Sequence, residues 1–273
     1  MTAAAPAATP RGSGLGARLL SAVVGIPLLL GVIIVGGPIY TLVVAAALGV
    51  GYHELVRALR LQRTPLTLCG YGAVILLPWA ASLDPAAVPA VLVAGVLASL
   101  VALVARGEAP ESLAPWALTL AGVLYVGLLG QHFVSLRGLE DGRAWVLTAI
   151  AITFAADTGA YATGRLLGRH KLAPRLSPSK TVEGLAGGLL AGAAAAAACA
   201  ALLDPGPSPA LMAALGLVAA AAAAAGDLAE SALKRTTGVK DMGRIVPGHG
   251  GILDRLDSLL FVVPLVYYAA LTS

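Results

Sequence analysis

The sequence predicts an all-α, polytopic integral membrane protein with about nine transmembrane helices and a cytoplasmic N-terminus. Three observations predict it. Of 273 residues, 58% are hydrophobic and only 12% are charged, and the mean hydropathy is +0.87, far from the balance of a soluble domain. About 20 apolar residues cross a bilayer core as a helix, and windows of that size recur along the whole chain. The basic residues collect in alternate gaps between those windows, as positive-inside insertion requires.

Residues 1–15 are small, polar and Pro-containing, and read as a disordered tail. A signal peptide is the competing reading for the apolar run after Arg18. That run is longer than a signal h-region and ends without a small-residue cleavage site, so it reads as an uncleaved first span. In approximate bounds the windows are 16–36, 38–55, 66–83, 86–105, 115–135, 144–164, 182–203, 208–229 and 256–272. Several contain Gly or Pro, which membrane helices tolerate when neighbouring helices satisfy the backbone. Helices 16–140 are joined by short turns such as Gly36-Gly37-Pro38 and Asp84-Pro85 and hold almost no charge within a span, so function is expected elsewhere. The region 141–273 places acids within or at the ends of spans and carries two long loops, 165–181 and 231–255. With the N-terminus inside, only Arg137 and Arg143 of the 18 Lys and Arg residues fall outside, which assigns both loops to the cytoplasm.

The net charge of +4 is explained by this bias, so nucleic acid is not an expected partner, whereas anionic membrane lipids are. Cys69 and Cys199 stand far apart in apolar segments without metal-ligand spacing and read as packing residues. Gly184, Gly188 and Gly192, at intervals of four, line one helix face, and alanines fill 193–198 and 219–225. Such small-residue faces favour close helix contacts, either within one chain or between the protomers of a homodimer.

The chemistry concentrates near the C-terminus. Asp227, Glu230 and Lys234 share one helix face, and acids within a span cost about 2.5–3.5 kcal/mol on insertion scales unless paired. A plain acid-to-lysine pair is one reading and a bound cation is the other. Asp254 and Asp257 open the ninth window, where acids also suit the helix dipole. Two acid pairs bracketing one loop offer hard oxygen ligands of the kind Mg²⁺ takes, one or two carboxylates with water and phosphate completing its shell. Between them lie Lys234, Arg235, Lys240 and Arg244 and the turn Pro247-Gly248-His249-Gly250-Gly251, whose backbone N–H groups suit an anion. In the other loop Ser179 is expected to N-cap the seventh helix, with Glu183 in its first turn. Lys180, unfavourable at a helix start, points to an anionic ligand there. Asp157 and Tyr161 lie four apart on the sixth span, Asp157 being either a supporting acid at the site or a partner of Arg165. His53 and His132, beside Glu54 and Gln131, read as membrane-interface residues, and His170 adds to a basic loop.

The stretch Ser231–Asp257 (SALKRTTGVKDMGRIVPGHGGILDRLD) resembles the signature of the phosphatidate cytidylyltransferase, or CDP-diacylglycerol synthase, family. Asp157-Thr158-Gly159-Ala160-Tyr161, the run Gly164–Pro174 and Ser177–Gly184 resemble a second region of that family. Val246 is a small departure, since Leu or Ile is more usual there. The resemblance implies an enzyme that transfers CMP from CTP to phosphatidic acid, giving CDP-diacylglycerol and pyrophosphate for phospholipid synthesis with Mg²⁺, at the inner membrane of a bacterium. It further implies Asp227 and Asp254 as metal ligands, with Glu230 and Asp257 supporting or alternative, and Lys180, Lys234, Arg235, Lys240 and His249 as phosphate contacts. Ser179 and Asp157 are further contributors. A related CTP-dependent lipid kinase or cytidylyltransferase, and a cation-coupled transporter, are the rival readings; the acids at the inner ends of spans and the lack of an inverted repeat weigh against transport.

Overall fold

The computed structural model describes residues 14–61, 65–105, 113–243, 245 and 250–272. The tail expected over 1–15 lies outside them except for Gly14 and Leu15, which already belong to the first helix. In the N-terminal half the helices are α1 (Gly14–Val35), α2 (Gly37–Ala58), α3 (Pro65–Leu83), α4 (Ala87–Ala105), α5 (Leu113–Gly122) and α6 (Leu129–Arg137). A π-helical stretch, Val123–Leu128, joins α5 to α6. After it come α7 (Gly142–Leu167), the strands β1 (Lys171–Ala173) and β2 (Ser177–Thr181), α8 (Val182–Leu203), α9 (Pro209–Thr237), α10 (Leu253–Leu256) and α11 (Leu259–Ala270). Among the described residues, seven helical segments are long and apolar enough to cross a membrane, α5 through α6 counting as one, and two shorter apolar stretches, Gly25–Val35 of α1 and α11, flank them. The chain is an α-helical, polytopic integral membrane protein.

Two local expectations need correction. The loop 165–181 is largely structured: α7 runs on to Leu167, and an antiparallel β1–β2 hairpin pairs Lys171 with Thr181 and Ala173 with Ser177. Ser177-Pro178-Ser179-Lys180 is extended, so Ser179 cannot cap α8. Thr181 caps it instead, its hydroxyl accepting from the Gly184 N–H at 3.1 Å, because it is the last extended residue before the first helical one, Val182, which is where an N-cap sits. Likewise, the loop 231–255 is shorter than expected, since α9 continues to Thr237 and α10 begins at Leu253.

The C-terminal helices pack where side chains are smallest. A Cβ on Gly188 of α8 would lie 2.9 Å from the Ala156 carbonyl of α7. One on Gly192 would lie 2.7 Å from Ala220 of α9, and one on Gly216 would lie 2.5 Å from the Gly192 carbonyl. The small-residue face of α8 is thus used within the chain, between α7 and α9, and it draws Asp157 of α7 towards Asp227 of α9. Without water to drive association inside a bilayer, such backbone proximity is the main source of helix-helix attraction. Larger side chains, among them Tyr52, Leu48, Leu77, Leu136, Ile152 and Leu260, fill the interior of the rest of the bundle.

Gly216→Leu is expected to wedge α8 from α9 and to destabilise the protein by about 1–3 kcal/mol, the usual range for overpacking, read as a lower unfolding midpoint of the purified protein in detergent. An unchanged midpoint would contradict the close α8–α9 contact.

Candidate active site

The C-terminal end of α9 is the foundation of the site. Ser208 caps its start, accepting from the Leu211 N–H at 3.4 Å, and Gly238 ends it in the left-handed conformation at φ 73°, which glycine adopts without steric cost. Between these ends, Asp227, Glu230 and Lys234 project from one face. Lys234 Nζ lies 2.5 Å from Glu230 Oε2 and 2.5 Å from Asp254 Oδ1, so one ammonium joins α9 to α10. The two acids are nearly sealed from solvent, with side chains 1% and 2% exposed, whereas that of Lys234 is 20% exposed. Asp254 also accepts from the Met242 N–H at 3.0 Å and from the Gly251 N–H at 2.8 Å, so its carboxylate binds main chain on the α9 side and on the α10 side at once.

Burial alone would raise the Asp254 carboxyl. Hydrogen bonds from Lys234 and from the Gly251 and Met242 amides outweigh it and hold the group below its ordinary range. Its stabilising contribution is therefore complete above the usual carboxylate range and is lost as pH falls through the depressed value.

A cavity of about 930 Å³ opens beside this cluster. Its polar wall comes from four places in the sequence: Asp157 and Tyr161 on α7, Ser179 and Lys180 on β2, Asp227, Glu230 and Lys234 on α9, and Asp254, Arg255 and Asp257 at α10. Lys180 forms an ion pair with Asp227, which fastens the hairpin to α9. The same wall is brought close by Gly226, where a Cβ would lie 2.5 Å from the Asp257 carbonyl. The rest of the lining is largely apolar and includes Leu29, Val32 and Val43 of α1 and α2 and Ile150 and Phe154 of α7. One cavity therefore offers a charged floor and a greasy flank.

The hairpin is held at two further points. Glu183, in the first turn of α8, accepts from the Arg169 N–H at 3.1 Å and pairs with His170 Nδ1 at 2.6 Å. Arg235 Nε donates to the Leu176 carbonyl at 3.2 Å.

Of the residues singled out by sequence, Asp157, Ser179, Lys180, Asp227, Glu230, Lys234, Asp254 and Asp257 meet at the cavity. Asp157 does not pair with Arg165, which instead donates to the Tyr161 hydroxyl at 2.8 Å. Arg235 and Lys240 are exposed and absent from the cavity wall. His249 and Arg244 lie outside the described residues. Among the described residues no group of three or more His, Cys, Asp and Glu side chains is gathered for a metal, but Glu230 and Asp254 already converge on one cation, Lys234. Glu230 Oε1 is buried and has no hydrogen-bond partner there, a costly state for a carboxylate oxygen.

Residues 16–272 match the sequence model of the cytidylyltransferase family. The chain belongs to that family. Among curated proteins it is similar to the phosphatidate cytidylyltransferase of Staphylococcus haemolyticus, 43% identical over 150 residues, which is 55% of this chain and 57% of that protein. A phosphatidate cytidylyltransferase of Staphylococcus epidermidis is 44% identical and one of Staphylococcus aureus 42% identical, each over the same shares of the two chains. The matched stretch spans a little over half the length of these relatives.

One residue of this cytidylyltransferase-family site escaped the sequence reading. Glu54, on α2, is 3% exposed and accepts from the Ile252 N–H at 3.1 Å and the Leu253 N–H at 2.9 Å. The only sequence signal was an acid within an apolar window, and its neighbour His53 made it look interfacial. His53 in fact bonds the Tyr71 hydroxyl at 2.8 Å through Nδ1.

Replacing Lys234 by Met leaves two buried carboxylates without their shared cation. Removal of one partner from a buried ion pair costs about 3–5 kcal/mol, so a large fall in the thermal unfolding midpoint is expected at neutral pH. A midpoint within a degree of the parent protein would show that Lys234 does not neutralise them.

Proposed function

We propose that the chain is a CTP:phosphatidate cytidylyltransferase of a bacterial inner membrane, acting on CTP and phosphatidic acid at its cytoplasmic face. The observation that supports this best is the single cavity that joins a floor of paired lysines and acids to an apolar wall. A triphosphate needs the first surface, and a diacyl lipid whose phosphate sits at the bilayer edge needs both. The family and the name printed for the staphylococcal relatives agree with this reading. So does the position of the two outlying arginines, Arg137 and Arg143, since α7 separates Arg143 from Arg165 by roughly 33 Å at 1.5 Å per residue, about a bilayer core. A homodimer would use a face other than the glycine face of α8, which the chain consumes itself.

In the proposed reaction a phosphate oxygen of phosphatidic acid attacks the α-phosphorus of CTP. A new P–O bond forms, the bond to the bridging oxygen of the β-phosphate breaks, and pyrophosphate leaves with that oxygen and its electron pair. No protein nucleophile is needed. The protein orients two anions in line and neutralises the charge that keeps them apart. Lys180 and Lys234, on the cavity wall, would approach the phosphates; Ser179 and Asp157 would fix the substrates' position; Arg235, Lys240 and His249 would add positive charge from the flanking loop.

Mg²⁺ would be held by Asp227 and Asp254, with Glu230 and its unpartnered Oε1 as a third donor and Asp257 in support. These are hard oxygen donors of the kind Mg²⁺ accepts, and Glu230 and Asp254 lie close enough together to share one cation. When bound, Mg²⁺ would supply charge neutralisation on the phosphate oxygens.

Purified protein given CTP and phosphatidate is expected to release pyrophosphate and CDP-lipid in equal amounts, and to stop when chelator removes divalent cations. CDP with a phosphorylated alcohol would identify a kinase instead. Asp254→Asn is expected to lower turnover by about 100-fold or more, the scale seen when one preorganised charge-stabilising group is lost. Unchanged turnover at saturating Mg²⁺ would remove Asp254 from the proposed metal site.

A further inference from the structure

Glu54 lies some 200 residues before the charged loop in sequence, yet it contacts the loop's backbone directly. Its two carboxylate oxygens are divided between adjacent main-chain N–H groups, Oε1 with Ile252 at 3.1 Å and Oε2 with Leu253 at 2.9 Å. These are the two residues before Asp254. Asp254 in turn gathers Met242, Gly251 and Lys234. The two carboxylates therefore divide the main-chain N–H groups between them: Asp254 holds Met242 and Gly251, and Glu54 holds Ile252 and Leu253 to α2.

The glycines of the loop fit this arrangement. A Cβ on Gly251 would lie 2.5 Å from Glu54 Oε2, and one on Gly243 would collide with Glu54 Oε1. Both chain passes run flush against the Glu54 carboxylate because neither carries a side chain. Burial strengthens the effect, since a carboxylate that accepts two backbone N–H bonds away from water makes charge-assisted contacts that are stronger than neutral ones. On its other side, α2 is anchored in the bundle by Tyr52 and Leu48, both completely or almost completely buried. The carboxylate is thus mounted on a rigid support.

We propose that Glu54 is a positioning residue for the catalytic loop: it fixes the Ile252–Leu253 backbone so that Asp254 and Lys234 meet at the cavity floor. The role rests on the cytidylyltransferase reading of that floor. It makes the N-terminal helices part of the site's geometry without any contact between Glu54 and substrate.

The test compares full-length Glu54→Ala, Glu54→Gln and Gly251→Ala proteins, purified in detergent, by hydrogen exchange and by CTP turnover with phosphatidate. In E54A, exchange within 250–257 is expected to rise at least about tenfold, as loss of charge-assisted hydrogen bonds implies, with α7 and α8 unchanged. Its kcat is expected to fall by about 10- to 100-fold with KM for CTP changed less than about threefold. E54Q, whose amide oxygen still accepts an N–H bond, is expected to recover at least half of that loss on a logarithmic scale. G251A is expected to reproduce the E54A defect, and its effect is expected to disappear when E54A is already present. Wild-type exchange at 250–257 in E54A, equal defects in E54Q and E54A, or additive effects of G251A and E54A would each overturn the proposal. If E54A does not fold, E54Q and G251A carry the same comparison. A wild-type protein inert towards CTP and phosphatidate would remove the proposed reaction, while the exchange measurements would still decide the positioning of the loop.

Discussion

The ammonium of Lys234, shared by Glu230 and Asp254, is the interaction on which the site depends. Both carboxylates are almost wholly buried, and a lone buried charge costs several kcal/mol. Neither acid is therefore stable in place without the cation. Because Glu230 and Lys234 belong to α9 and Asp254 to α10, neutralising the charges also fixes the geometry: the end of one helix is tied to the start of another. The carboxylate of Asp254 then has oxygens left for the Met242 and Gly251 amides, which it holds together. Charge neutralisation and loop shape have one cause.

Glycine and alanine decide how near the remaining parts come. Gly188 and Gly192 let α8 lie against α7 and α9, and Gly226 admits the backbone of Asp257 beside Asp227. In water such contacts would be supplemented by burial of apolar surface; within lipid, close packing carries most of the attraction. The polar wall is consequently assembled from helices whose contacts are mostly backbone on backbone, with little side-chain volume to rearrange. The hairpin adds Lys180 through its pairing with Asp227, and it is itself held by Glu183 at its base and Arg235 near its turn. The apolar flank comes from α1, α2 and α7, so the cavity belongs to both halves of the chain.

Much of this was legible in the sequence, for identifiable reasons. Apolar windows near 20 residues mark helices because backbone groups in lipid must be satisfied within the segment; the helices follow those windows closely. Charges within or just beyond such windows stand out because they are costly, and Asp157, Asp227, Glu230, Lys234 and Asp254 all reach the cavity. The hairpin was hidden because Pro174 and Pro178 and the charged residues around them resemble an irregular loop, and its strands, of three and five residues, leave no periodic pattern. A serine a few residues before an apolar run, as Ser179 is, looks like a cap; only the strand geometry moves that duty to Thr181. Glu54 was missed because local sequence contains no sign of a partner 198 residues away. The resemblance implies Arg235 as a phosphate contact, and local sequence carries no sign of the further bond that its Nε donates to the Leu176 carbonyl.

Whether Lys234 and Asp254 form one buried unit is decided by a double-mutant cycle between Lys234→Met and Asp254→Asn, followed by thermal or denaturant unfolding in detergent. A coupling of about 2 kcal/mol or more is expected, with the double variant less damaged than the sum of the single ones. Effects that add to within about 0.5 kcal/mol would contradict it.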